Sequence, residues 1–566
     1  MRLFLTVFLL STGFSLFAQN NYPQNYFRNP MGIPMDLSAN FGELRSNHWH
    51  MGLDIRTQQR ENLSVYAAAG GYVSRIKVEP GGFGQAIYIT HPNGYTTLYA
   101  HLNSFFPALQ QYVKEQQYEK ESWAVDLQIP SNLFPVNKGA YIAKSGNTGG
   151  SQGPHLHFEI RDTETERCLN PLLFNFPLKD NVPPSVIRLA MFDRTQSVYT
   201  QTPTLYSVKK SGGVYQLSGT SIIQSPVERV SFALQANDKL SGSNNPNGIY
   251  SATIFCDDTP MTSFTIDDIG YEETRYMNAH IDYRMKKRGG AYLQHVSRMP
   301  GDLSDVYKNH NNDGVINLSD TSVHKIRVEI TDAYKNKSTL QFNIQYKGSN
   351  QKGQHNADEG DIVLYPGNMN VFEQDEFEMV VNETAVYDTV PIVYAKQNTI
   401  SGSITASHKI GEETIPLHNN ITVRVKPIVE VDEADRNKIV MIREYKNGKN
   451  SVKAEWQNGW ISAGSREFGT FRAVIDTVPP TINSLGTGDT LNLKTFSRIV
   501  FRPKDESGIQ SFRAELDENW LRFTNDKYSA FIYVFDEKWK SGVRELKVVI
   551  EDIAGNKTTQ SWWIRR

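Results

Sequence analysis

Cysteine is nearly missing from this chain, with two in 566 residues, Cys168 and Cys256. A disulfide framework is thereby excluded, and a single bridge between two domains is the most that could form. An excess of either charge is missing too: 59 Lys plus Arg face 61 Asp plus Glu, a formal net charge of −2. That balance offers no footprint for nucleic acid and no polybasic lipid anchor. After the first twenty residues no run approaches the roughly 20 apolar residues of a membrane helix, so no stable membrane span is expected. Histidine is scarce as well, at 13, which makes any clustering of it informative.

What is present describes a folded, exported protein of several domains. At 566 residues the chain exceeds one hydrophobic core, and roughly three to five domains are expected. The opening "MRLFLTVFLLSTGFSLFAQ" has one basic residue, a short apolar run and a small residue, Ala18, before Gln19. It reads as a secretory signal peptide over 1–18, with a membrane anchor as the alternative. The expected location is therefore the periplasm, the cell envelope or the extracellular space. No cysteine follows the apolar run, which argues against a lipoprotein.

Residues 60–180 read as short strands broken by glycine. "GYVSRIKV" (71–78), "QAIYITHPNGYTTLYAHL" (85–102), "AYIAKSG" (140–146) and "HLHFEI" (155–160) are strand text, the second a hairpin about a Pro-Asn-Gly turn. Between them, 104–135 is rich in helix formers, with Phe106, Leu109, Tyr112 and Val113 at helical spacing. Past residue 180 the text is long, polar and strand-like. Three landmarks recur there in order: "DNVPPSVI" (180–187) with "DTVPPTIN" (476–483), "DKLSG" (238–242) with "DESG" (505–508), and "DAYKNKST" (332–339) with "DIAGNKTT" (552–559). A Pro-Pro breaker at the start and an Asp/Asn turn before the last strand punctuate a β-sandwich of about a hundred residues. The expected division is 19–178 with a helical insertion at 104–135, a β-domain with an insertion over 182–346, a linker at 347–360, a β-domain over 361–475, and a second repeat copy over 476–566.

The chemistry concentrates before residue 180. In "GPHLHFEI" (153–160), strand alternation sends His155 and His157 to one face. Two imidazoles side by side suggest a metal site, a ligand beside a base, or an ordinary polar face. Upstream, "SNHWHMGLDI" (46–55) carries His50 and Asp54 in an H-x-x-x-D pair near glycine. "LYAHL" (98–102) ends a hairpin strand at His101. Each fragment alone is weak, and a catalytic zinc needs three protein ligands plus an open position.

Taken in order, "HMGLDI", "YAHL" and "SGNTGGSQGPHLHFEI" resemble the lysostaphin/LytM-type zinc endopeptidases that cut peptidoglycan peptides, over roughly residues 35–175. The resemblance implies zinc ligands His50, Asp54 and His157, and two non-ligand histidines, His101 and His155, beside the metal-bound water. It implies a small antiparallel-sheet metallopeptidase domain; with the repeat units after it, which resemble bacterial immunoglobulin-like modules, the expected fold is mainly β, that domain followed by several β-sandwich modules. It implies Zn2+ as cofactor and peptidoglycan peptides as partner, with the C-terminal β-domains as candidates for protein contacts. The chemistry agrees, since zinc held by two imidazoles and one carboxylate lowers the pKa of bound water from 15.7 towards roughly 7.

Neighbouring polar residues have plainer readings. His48 is expected at the surface or supporting a ligand, Glu159 in strand packing or behind a ligand, and His91 in a structural role. Asn147 belongs to a loop forming a groove rim. "NHNNDGVINLSD" (309–320) has calcium-loop spacing but only two carboxylates and no terminal Glu, so an Asn/Asp/Gly turn is expected. The inserted 104–135 segment is expected over or beside the groove. Competing functions are a catalytically silent regulator of other wall enzymes, a cupin and an adhesive protein. The regulator reading is weakened because all five key positions are filled. A cupin would need its Glu and a later His downstream of H-x-H.

Overall fold

The computed structural model describes residues 22–348, 362–486 and 489–566. The expected signal peptide, 1–18, and most of the expected 347–360 linker lie outside the described residues. Alternating apolar residues build one antiparallel sheet, in the order Leu37–Ala39, Leu53–Arg56, His155–Asp162, Tyr95–Ala100, Gln85–Thr90, Gly71–Val78 and Val125–Gln128. Ile55, Phe158, Tyr99, Ile89 and Val73 are fully buried in its core. The hairpin turns at Gly94, whose φ of 84° is the left-handed backbone that glycine adopts without steric cost. A smaller sheet, Ser64–Tyr66, Tyr141–Ser145 and Leu102–Phe105, adds Val65, Ile142 and Leu102 to the same core.

The insertion at 104–135 departs from expectation in two ways. Only Pro107–Glu119 is helical. Val125–Gln128 is a strand that extends the main sheet, pairing Val125 with Val78 and Leu127 with Ile76. Its residues alternate buried and exposed, a period-two pattern that outweighs the helix formers before it. Nor does any residue of 104–135 line the cleft described below. The helix instead carries the C-terminal domain: Lys114 pairs with Asp536 at 3.0 Å, the Tyr118 ring meets Trp520 at 5.4 Å, and Glu121 pairs with Arg513 at 2.7 Å.

The later β-domains are joined to the N-terminal domain rather than strung after it. Phe41, Trp49, Met51 and Cys168 belong to a hydrophobic core that continues through 186–344 into 364–473. Cys168–Leu169 pairs with Asp268–Ile269, carrying the main sheet across the domain boundary. Both cysteines are free, so no disulfide bridges the domains. The segment 309–320 bends over 310–314 and then forms the short strand Ile316–Asn317. Asp313 Oδ1 accepts from Val315 N at 3.0 Å while Asp320 pairs with His324 at 2.9 Å, so the two carboxylates serve different partners.

The last domain has its own core around Phe501, Trp562 and Ile564. Its tip grips the 147–151 loop: Asp526 Oδ1 accepts from Gly149 N at 2.7 Å, and Lys527 Nζ donates to Ser151 O at 2.6 Å and Asn147 Oδ1 at 3.2 Å. Replacing Asp526 and Lys527 by alanine is expected to cost about 1 kcal/mol, the scale of a few partly exposed polar contacts. Faster amide exchange at Gly149 and Gly150, with exchange in the main sheet unchanged, is the expected readout.

Candidate metal centre

Sheet register assembles the site. Asp54 on Leu53–Arg56 lies opposite His157, and His157 lies opposite Ala100 on the next strand. His101 follows Ala100 with a φ of 59°, a bend that turns the chain into the smaller sheet at the cleft. His50 precedes its strand by three residues. Gly52, between His50 and Asp54, has a packing reason: a Cβ there would stand 2.4 Å from Phe158 O and 3.1 Å from the His157 ring.

His50 Nε2 stands 2.9 Å from Asp54 Oδ1 and 3.1 Å from His157 Nδ1, and His157 Nδ1 stands 3.0 Å from Asp54 Oδ1. The other polar atom of each side chain has its own partner. His50 Nδ1 donates to Asn40 O at 2.7 Å, His157 Nε2 meets Glu159 Oε1 at 2.9 Å, and Arg45 donates to Asp54 Oδ2 at 3.2 Å. Three donor atoms, two nitrogens and one oxygen, are thus left facing one another with their rings and carboxylate fixed from behind. That donor set, with such support, fits a borderline divalent cation such as zinc.

Burial alone would raise the Asp54 carboxyl. The charge of His50 and hydrogen bonds from His155, His157 and His50 outweigh it and hold the group well below the usual carboxylate range. Burial also lowers His157, yet hydrogen bonds to Asp54 and Glu159 carry it up to about 9. His101 is pushed down to about 3 by burial, then by the charges of His157 and His155. His101 donates from Nδ1 to Thr148 O at 2.8 Å. His155 donates from Nδ1 to Gly153 O at 2.8 Å and turns Nε2 to 3.3 Å from Asp54 Oδ1. All five residues named from the sequence therefore meet at one place.

They line a cleft of about 1140 Å³, together with Phe83, Gly150–Pro154, Arg45, His48, Tyr271 and Tyr292. His48 stays at the surface, its Nδ1 on Ser46 O. His91 is structural, bonded to Gly70 O and Thr97 Oγ1, and burial lowers it to about 4. Glu159 stands behind His157. It is fully buried, bonded to His157, to Arg161 Nε at 2.7 Å and to the Tyr271 hydroxyl at 2.6 Å. Tyr271, Arg45 and Arg161 carry no mark in the sequence. Tyr271 in particular arrives from the next domain, 112 residues beyond Glu159.

Residues 48–118 match Peptidase family M23, and residues 362–476 match the Zu5-like domain. The chain carries an M23 peptidase domain. It is 33% identical over 128 residues, 23% of this chain and 21% of the relative, to a Haemophilus influenzae protein described as an uncharacterized metalloprotease. It is 36% identical over 112 residues, 20% of each chain, to the DD-carboxypeptidase/endopeptidase Mpg of Neisseria meningitidis. The chain spans about a fifth of the length of these relatives. Among solved structures, the catalytic domain of the antimicrobial peptidase lysostaphin from Staphylococcus simulans aligns at 23% identity and a TM-score of 0.17. That alignment covers 24% of this chain and 87% of lysostaphin's domain. The M23 match includes His50, Asp54 and His101 but stops short of the H-x-H strand, which the sheet register sets beside them.

Proposed function

We propose that this M23 protein is an exported, zinc-dependent endopeptidase that hydrolyses the peptide cross-links of bacterial peptidoglycan. The observation that carries the proposal is the convergence of His50 Nε2, Asp54 Oδ1 and His157 Nδ1, with His101 and His155 beside them in an open cleft. The substrate class is taken from relatives, among them the peptidoglycan DD-endopeptidase ShyA of Vibrio cholerae, 31% identical over 119 residues.

His50, Asp54 and His157 would hold the zinc. When bound, zinc supplies Lewis-acid polarisation of the scissile carbonyl and an acidified water. The protein's own part is positioning and proton transfer. Because Nδ1 of His101 and of His155 is tied to a backbone carbonyl, both rings offer Nε2 to the reacting groups. One accepts a proton from the attacking water as the C–O bond forms. That proton then passes to the amine nitrogen as the C–N bond breaks. Phe83 and the Gly150–Pro154 loop form the walls that orient an extended peptide across the histidines. The filled five-residue set favours this reading over a silent regulator.

Incubating the mature chain with purified peptidoglycan, with products identified by mass, tests the proposal. A chelator is expected to stop peptide release and added zinc to restore it. His155→Ala should retain one zinc per chain while turnover falls about 100-fold or more. Peptide release untouched by chelator, or none from zinc-loaded wild type, would overturn it.

A further inference from the structure

The recurring landmarks of the two repeat domains bring carboxylates together in both copies. One oxygen each of Asp180, Asp238 and Asp332 lies within 4.8 Å of the others, and Asp476, Asp505 and Asp552 converge likewise. Hydrogen bonds at the first and third landmarks correspond between the copies. Val182 N on Asp180 Oδ1 (3.0 Å) matches Val478 N on Asp476 Oδ1 (3.1 Å). Asn336 Nδ2 on Asp332 Oδ2 (2.7 Å) matches Asn556 Nδ2 on Asp552 Oδ2 (2.8 Å). Ser338 Oγ on Pro184 O matches Thr558 Oγ1 on Pro480 O, both at 2.6 Å.

The copies part at the second landmark. Asp505 Oδ1 accepts from Ser507 N at 2.7 Å, Ser507 Oγ at 2.7 Å and Gly508 N at 3.1 Å. Asp238, by contrast, is 5% exposed and its Oδ1 meets no donor. The buried Oδ2 of Asp180 and the Tyr334 hydroxyl also lack partners. Burial, then the like charges of Asp332 and Asp180, raise Asp238 to about 7. Buried carboxylate oxygens without hydrogen-bond donors are costly unless a positive charge joins them. An all-oxygen, carboxylate-rich donor set suits a hard divalent cation. Carboxylates supplied by three separate loops suit calcium over magnesium, which demands a near-ideal octahedron and keeps several waters.

We propose that Asp180, Asp238 and Asp332 bind one divalent hard cation, calcium in preference to magnesium, at the joint between the peptidase domain and the first β-domain. The location gives the ion a role. Leu240, two residues past Asp238, is buried in the peptidase core, and Ala333 and Tyr334, just past Asp332, pack against that core. Asp180 directly follows the last peptidase residues in it, Phe176 and Leu178. The cation ties together the three loops that seat one domain on the other. It is separate from the zinc centre and does not depend on peptidase activity.

The test uses the full chain in calcium-free buffer containing zinc. Equilibrium dialysis with 45Ca2+ is expected to add one calcium per wild-type chain, and 1 mM calcium to raise the melting temperature by a few degrees, magnesium by less. Asp238→Asn should abolish both effects, Asp180→Asn should do the same, and Asp505→Asn should keep them. Without calcium, Asp238→Asn should melt at or above wild type, because the amide removes like-charge repulsion. Wild type that binds no calcium, or Asp238→Asn and Asp180→Asn variants that still bind it, would overturn the proposal. An Asp238→Asn chain melting well below calcium-free wild type would overturn it as well, since the carboxylate would then be stabilising the fold without an ion.

Discussion

Alanine in place of His157 is expected to abolish zinc retention and bring peptidoglycan hydrolysis to background. The loss should exceed the roughly 100-fold that follows from removing a partner behind a metal ligand. His157 occupies the centre of the cluster, opposite Asp54 in the sheet register, with Nδ1 facing His50 and Asp54. Without it two donors remain, His50 and Asp54, and two do not hold a catalytic zinc against water. Glu159 keeps Arg161 and Tyr271, so the sheet around the vacancy stays paired. Mass spectrometry under native conditions reads the metal, circular dichroism reads the fold, and muropeptide release reads the activity. Loss of metal with the fold intact is the expected combination. A His157→Ala chain that retained stoichiometric zinc would remove His157 from the ligand set.

Alanine in place of Glu159 is expected to have the largest effect on stability, about 3–5 kcal/mol, the cost of leaving a buried charge uncompensated. Glu159 is fully buried and joins four groups: His157 Nε2, Arg161, the Tyr271 hydroxyl and Cys168 Sγ. Burial would raise its carboxyl, but the charge of Arg161 and hydrogen bonds from His157 and Tyr271 bring it down to about 2. Removing it strands the Arg161 guanidinium, itself 6% exposed, beneath the Tyr271 ring at 4.7 Å. His157 is freed to rotate at the same time, so zinc affinity should fall 10- to 100-fold. Denaturant unfolding and competitive zinc titration measure the two effects. Tyr271→Phe removes one donor to Glu159 and keeps the charge pair. It should weaken zinc by about tenfold at the lower end of that range with little loss of stability. Full stability in Glu159→Ala would show that Arg161 finds another counter-charge.

Local pattern was legible wherever the deciding contacts are close in sequence or repeat with a short period. His155 and His157 share a face because alternation along one strand demands it, and Gly71–Val78 and the 85–100 hairpin fall where their alternation and turn residues put them. The strand Val125–Gln128 in the insertion was hidden because four alternating residues follow a long run of helix formers. The supports of the candidate metal centre were hidden for another reason. Asn40 and Thr148 act through backbone carbonyls, which every residue has, and Tyr271 acts across a domain boundary.

By itself, then, the order of residues determined the mainly β character, the repeat, and the five side chains able to take part in metal chemistry. Tertiary structure alone decided that Tyr271 closes the hydrogen-bond chain behind His157, that the helix 107–119 serves as a dock and not a lid, and that three aspartates 58 to 152 residues apart meet at the domain joint. The physical reason is range. Periodicity and turn chemistry act over a few residues, whereas burial and electrostatic convergence depend on which surfaces the whole chain brings into contact.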